Sequence, residues 1–131
     1  MLIDTSIYGS LAKGTQSAVS AIRNAEEIKL PLPVIAELRY GFLKGSQTEK
    51  NEITLQKFLS QPNIHIASPS IKTTEIYAEL QLYCIKRGKA LSHNDLWIAA
   101  LARETDDDLV TFDKDFSVFE EIFGNKLVLL T

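Results

Sequence analysis

Cysteine is nearly absent from this chain: among 131 residues only Cys84 carries a thiol. No intrachain disulfide can form, which excludes a disulfide-stapled scaffold and leads to the expectation of a reducing, cytoplasmic setting. Histidine is almost as scarce. His65 and His93 are the only two, and neither has a spaced partner of the kind that binds zinc. Long apolar runs are missing, so no segment approaches the roughly 18 residues of a membrane span, and the first residues lack the basic and apolar stretches of a secretion signal. A glycine-rich phosphate loop and a GxSxG nucleophile turn are also absent. Nor is there an excess of positive charge: the net charge of −3 argues against a general nucleic-acid binder, which usually carries a basic stripe.

What remains is ordinary globular material, 45% apolar and 24% charged, in a chain long enough to bury about two-thirds of its unfolded surface without a staple. No repeat, low-complexity tract or linker divides it, so a single domain over residues 1–131 is expected. Five short apolar runs read as strands: "MLID" at the start, Ile28 to Leu32, "NIHIA", Leu109 to Phe112, and Lys126 to Leu130. Helical spacing appears between them, in Ala18, Ile22 and Ala25, in Ile35, Leu38 and Phe42, in Leu55 and Phe58, in Tyr77, Leu80 and Cys84, and in Trp97 with Leu101. Pro33 suits a first helical position, and Gly45 and Gly88 suit helix ends. Strands alternating with helices predict right-handed crossovers and a three-layer α/β/α sandwich with a short, mainly parallel five-stranded sheet. Two helices in a row between the third and fourth strands fit simple alternation poorly. The one from about Ser70 to Arg87 must cross the sheet obliquely or stand away from it.

In a parallel sheet the residues that leave the strand ends gather along one edge, where such folds place their sites. Asp4 leaves the first strand, and Asp113 in "TFDKDF" follows the fourth. Glu37 lies just over one turn into the helix after the second strand. Asp95 opens a helix that runs down into the fourth strand, so its first turn must lie back at the same edge. Each carboxylate has an ordinary reading: Asp4 as a helix cap, Asp95 as the third residue of a capping box with Ser92, Asp113 as a turn residue, Glu37 as a solvated helix position. Gathered together, four carboxylates repel one another unless a cation joins them. Mg²⁺ or Mn²⁺, which prefer oxygen ligands, answers that requirement. Thr5, Ser6 and Asn94 are candidates to hold carboxylates or waters around the site. His65 reads as a strand-edge residue and His93 as an exposed first-turn residue.

In order and spacing, "LIDTSIYG", "PVIAELRYGF", "LSHNDLWIAALA" and "LVTFDKDF" resemble the four acidic motifs of the PIN-domain ribonucleases, above all the VapC-type toxins of toxin–antitoxin pairs. The likeness covers nearly the whole chain. It implies a metal-dependent endoribonuclease in which Asp4, Glu37, Asp95 and Asp113 are the catalytic, metal-holding positions. Asp115, which precedes Phe116 in the family's DF pair, is the alternative for the fourth. Pro33 departs from the pattern, standing where a Ser or Thr often starts the second-motif helix. The resemblance also implies an RNA substrate, a small antitoxin partner and a homodimer. For the homodimer the sequence offers the helix bearing Tyr77, Leu80 and Cys84, with that around Leu55 and Phe58, as an apolar surface that one sheet cannot easily cover.

A polyanion at an acidic site needs basic help, and Lys86, Arg87 and Lys89 in "KRGK" could position phosphates. Basic residues before a glycine are equally what a helix C-terminus prefers. A response-regulator receiver also sets acids at strand ends, but it needs an adjacent acidic pair after the first strand and a phosphoacceptor Asp after the third, which "DTS" and "IASPS" do not supply. The other alternative is a PIN-like domain that binds RNA or protein without cutting.

Overall fold

The protein is described by a computed structural model covering residues 1–131. Its five strands, β1 (Leu2–Ile3), β2 (Ile28–Pro31), β3 (Ile64–Ala67), β4 (Leu109–Thr111) and β5 (Leu127–Leu129), form one sheet in the order β3-β2-β1-β4-β5. Every pairing is parallel. Seven α-helices connect them: α1 (Thr5–Ala12), α2 (Gln16–Ile22), α3 (Leu32–Lys44), α4 (Thr48–Leu59), α5 (Ile71–Lys86), α6 (His93–Thr105) and α7 (Glu120–Phe123). The 3₁₀ segments Lys114–Phe119 and Gly124–Lys126 flank α7. No helix is long and apolar enough to cross a membrane.

The central strands are short, and both of their faces are covered. Leu2, Ile3, Leu109 and Val110 are all fully buried, which is why they read as unbroken apolar runs and not as an alternation. Each such side chain contributes about 1.5–3 kcal/mol by leaving water. From β1 the chain steps outward to β2 and β3, then returns past β1 to β4 and β5. With right-handed crossovers this reversal places the later helices on the opposite face of the sheet from the earlier ones. It also makes β1 and β4 the neighbouring pair at which the winding direction switches, where parallel sheets open a crevice beyond the strand ends.

The pair of helices between β3 and β4 is an antiparallel hairpin, with α5 packed chiefly against α6. The helix from Ser70 to Arg87 therefore stands away from the sheet. Ser70 caps it in a box with Thr73, and Gly88 turns the chain at φ +68°, a conformation that costs glycine little. Helix α6 is buried almost all round, through Leu96, Ile98, Ala99, Ala100, Leu101 and Ala102, because it lies in the middle of this stack.

That packing corrects the expected dimer surface. Leu80 and Cys84 are buried and Tyr77 half-buried, while Leu55 is fully buried and the Phe58 ring meets Tyr8 edge-on at 5.2 Å. The apolar side chains that α5 exposes are instead Ile71, Leu82 and Ile85. Pro33 is also displaced by one position: α3 begins at Leu32, with Pro31 as its N-cap.

Candidate active site at the β1–β4 switch

Where β1 and β4 end, Ile3 pairs with Val110, so the next residues, Asp4 and Thr111, emerge side by side. Asp4 is buried. Its Oδ1 accepts from Ser6 Oγ at 2.6 Å and from the Ile7 amide at 3.1 Å, and its Oδ2 accepts from Thr111 Oγ1 at 2.5 Å. Both hydroxyls also accept, Ser6 Oγ from the Phe112 amide at 3.1 Å and Thr111 Oγ1 from the Asp113 amide at 2.8 Å. The two hydroxyls thus stitch the exit of β1 to the exit of β4. Asp4 is the N-cap of α1, so the ordinary reading of this residue is true as well. Burial raises its pKa above the usual carboxylate value, its three hydrogen bonds oppose that, and Asp113 adds repulsion.

Glu37 reaches the same edge from the second turn of α3, where Thr5 Oγ1 donates to its Oε2 at 3.0 Å. Asp95 is the third residue of α6, and its amide donates to Ser92 Oγ at 3.1 Å. Asp113 caps the 3₁₀ segment and accepts from the Asp115 amide at 2.9 Å. Glu37, Asp95 and Asp113 line one open pocket together with Ser92, His93 and Asn94, with no apolar side chain on its wall. Asp4 lies within range of their charge without forming part of the wall. Burial pushes the Asp95 carboxyl up to about 6; its Ser92 contact opposes this, and repulsion from Asp113, Glu37 and Asp4 adds to it. The N-terminal ends of α1 and α6 point positive backbone dipoles at this gathering of anions, which offsets part of the repulsion.

The expected residues are therefore brought to one edge, but loosely. No three of the carboxylates stand together as a ready-made chelate, and Asp4 engages both of its oxygens with hydroxyl and amide donors. The donor set is nonetheless all oxygen, three members of it facing an open polar pocket, and this chemistry fits a hard divalent cation. Thr5 and Ser6 hold carboxylates, as expected for residues around such a site, and Asn94 is on the pocket wall. Asp115 turns away, pairing with Lys89 Nζ at 2.7 Å, whereas Asp113 lines the pocket.

"KRGK" does not act as one unit. Arg87 lies over the Tyr83 ring at 3.4 Å and faces Glu121 at 3.8 Å, and Lys86 is exposed on the last turn of α5. Only Lys89 reaches the flank of the site, through Asp115. His93 is the exposed first-turn residue expected, but its place on the pocket wall, like the role of Thr111, escaped the sequence reading. Thr111 was hidden inside an apolar strand pattern, and a hydroxyl at the last strand position before "FD" was the available signal. His93 lines the pocket, and its Nδ1 is hydrogen-bonded to Tyr77 OH; nothing local in the sequence joins residues 77 and 93.

Comparison with known proteins identifies the family. The PIN domain family model matches residues 1–122. Ribonuclease VapC5 of Mycobacterium tuberculosis is 25% identical over 91% of this chain and 87% of its own length. Ribonuclease VapC2 of Rickettsia felis is 36% identical over 77% of this chain and 66% of its own. Among solved structures, VapBC2 from Rickettsia felis, bound to a DNA fragment from its promoter, superposes with a TM-score of 0.78 at 29% identity, covering 98% of this chain and 96% of that one.

Proposed function

This chain belongs to the PIN-domain family, and on that premise we propose that it is a metal-dependent endoribonuclease, the toxin of a VapBC-type toxin–antitoxin pair. The observation that carries the reading is the convergence of Glu37, Asp95 and Asp113 on one open pocket, with buried Asp4 behind them, at the β1–β4 switch. Relatives named ribonuclease VapC support the activity.

Asp4, Glu37, Asp95 and Asp113 would hold Mg²⁺ or Mn²⁺. When bound, such an ion would supply a lowered water pKa and compensation for charge on the phosphoryl group. The protein's own part is positioning. Ser6 and Thr111 lock Asp4 from two sides, and Thr5 fixes Glu37, so two carboxylates stand on the ends of rigid elements without reorganising. Ser92, through the Asp95 amide, orders the first turn of α6 that presents the third. Lys89, released from Asp115, places a cation on the flank where an RNA phosphate would arrive. Lys86 and Arg87 act farther out, as general attraction for a polyanion.

A small antitoxin is the expected partner, since the solved relative is a VapBC assembly. An antitoxin arginine entering the acidic pocket could bind its carboxylates bidentately and exclude substrate. A homodimer is supported by the outward Leu82 and Ile85 of α5, with sedimentation at increasing concentration as its check. The activity is tested by incubating purified protein with RNA in Mg²⁺, with and without chelator. Cleavage that chelator abolishes is expected; RNA left intact in excess Mg²⁺ and Mn²⁺ would favour a non-catalytic binding domain.

A further inference from the structure

One ring stands on the wall of the acidic pocket. His93 is the first residue of α6, two positions before Asp95, and lines the pocket with Glu37, Asp95 and Asp113. Its orientation is set from α5: Tyr77 OH is hydrogen-bonded to His93 Nδ1, and the two rings lie nearly parallel, 16° apart with centroids at 6.3 Å. Tyr77 is itself held by Trp97, one turn further along α6, at 4.5 Å between centroids. The ring is exposed, yet its orientation is supported by two side chains on two helices.

The hydrogen-bond chemistry follows from that support. With Nδ1 engaged by Tyr77, Nε2 is the nitrogen left for a ligand, and it makes no hydrogen bond to the pocket's acids. A bare Nε2 lone pair would be repelled by the surrounding carboxylates, which favours the arrangement in which Tyr77 O–H donates to Nδ1 and Nε2 carries the hydrogen. An N–H at Nε2 would add a ring donor to the Ser92 hydroxyl and Asn94 amide on a wall whose other members, Glu37, Asp95 and Asp113, offer carboxylate acceptors to an incoming phosphate or ribose oxygen.

Building on the ribonuclease reading, we propose that His93, oriented by Tyr77 and Trp97, is a substrate-positioning residue that donates from Nε2 to the sugar–phosphate backbone of the RNA next to the scissile bond. It takes no proton from the reaction and holds no cation, so its contribution lies in binding and alignment.

The test is steady-state cleavage of a fluorescein-labelled, mixed-sequence single-stranded RNA in Mn²⁺ by the full chain, comparing wild type with His93→Ala, His93→Gln and Tyr77→Phe, with melting temperature and Mn²⁺ half-saturation measured alongside. Loss of one hydrogen bond to a charged group predicts a rise in KM of about ten-fold for His93→Ala, with a much smaller change in kcat. His93→Gln, whose amide can place an N–H near the Nε2 position, should recover most of the loss, and Tyr77→Phe should fall between. Mn²⁺ half-saturation should be unchanged in all three. An unaltered KM in His93→Ala, or a defect that follows weakened Mn²⁺ response or a lowered melting temperature, would overturn this assignment while leaving the ribonuclease reading in place. A wild-type chain that neither binds nor cuts the RNA would overturn both.

Discussion

The two edges of the sheet treat carboxylates in opposite ways. At the N-terminal edge Asp107, just before β4, pairs with Lys29 Nζ at 2.7 Å and with the Met1 ammonium at 3.2 Å, and accepts from Thr105 Oγ1. Burial works against its charge, but Lys29, Thr105 and the ammonium together hold its pKa below the usual value. At the C-terminal edge Asp4, Glu37, Asp95 and Asp113 lie within range of one another's charge, and their hydrogen-bond partners are hydroxyls and amides with no cation among them. There Asp4 and Asp95 are shifted upward. The fold neutralises one acid at one edge and, at the other, gathers Glu37, Asp95 and Asp113 on one pocket with Asp4 buried behind them, the contrast expected if stability and chemistry are kept apart.

The largest expected effect tests which edge does chemistry. Asp4→Asn and Asp95→Asn should each lower RNA cleavage at least about a hundred-fold, because even residues that merely orient metal ligands cost ten- to a hundred-fold. Asp107→Asn should cleave like wild type. Timed assays on the three purified variants, with circular dichroism to verify folding, decide it, and full activity in Asp4→Asn and Asp95→Asn would end the assignment of the acidic edge.

A second measurement asks where a cation binds. Mn²⁺ at about a hundred times its Kd should stabilise the wild type by roughly 2.7 kcal/mol through mass action. The Asp4→Asn, Asp95→Asn double variant should gain far less in the same thermal melts. Equal gains would place the ion elsewhere.

Stability should be lost at the other edge. Asp107→Asn removes a partly buried, charge-assisted contact and should cost about 1–2 kcal/mol in urea unfolding. An unchanged midpoint would mean that the Lys29 pair contributes nothing net.

The smallest effect is in pH, and its sign differs between the edges. The folded pKa of Asp95, about 6, is above its unfolded value, so its stabilising contribution is complete in acid and lost as pH rises through about 6. Asp107 is shifted the other way, so its contribution is present at neutral pH and lost only in stronger acid. Between pH 5 and 7 in chelator, the wild-type melting temperature should fall by a few degrees relative to Asp95→Asn. Asp107→Asn should parallel the wild type across that interval. Coincident profiles for wild type and Asp95→Asn would break the comparison.

By itself the sequence determined the strand and helix order, because apolar runs of two to five residues alternating with helical spacing admit few other architectures. It determined too that Asp4 and Asp113 leave strands at one edge and that Asp95 opens a helix returning there, since parallel crossovers dictate direction. The ordinary reading of Asp4 as a cap was legible and holds alongside its place behind the pocket, while at Asp95 only half of the expected capping box is formed, the amide donating to Ser92 Oγ. Only the tertiary structure decided the rest. The placement of α5 against α6, which buries Leu80 and Cys84, depends on which of two apolar faces finds a partner, and periodicity marks a face without naming what covers it. The division of "KRGK" between Lys89 on Asp115 and Arg87 on Tyr83 depends on where the 3₁₀ segment after β4 lies. Thr111 holding Asp4, and Tyr77 orienting His93, join residues 107 and 16 positions apart. Side-chain hydrogen bonds of that range leave no local pattern, because they are set by distances in space that the chain fixes only once it has folded.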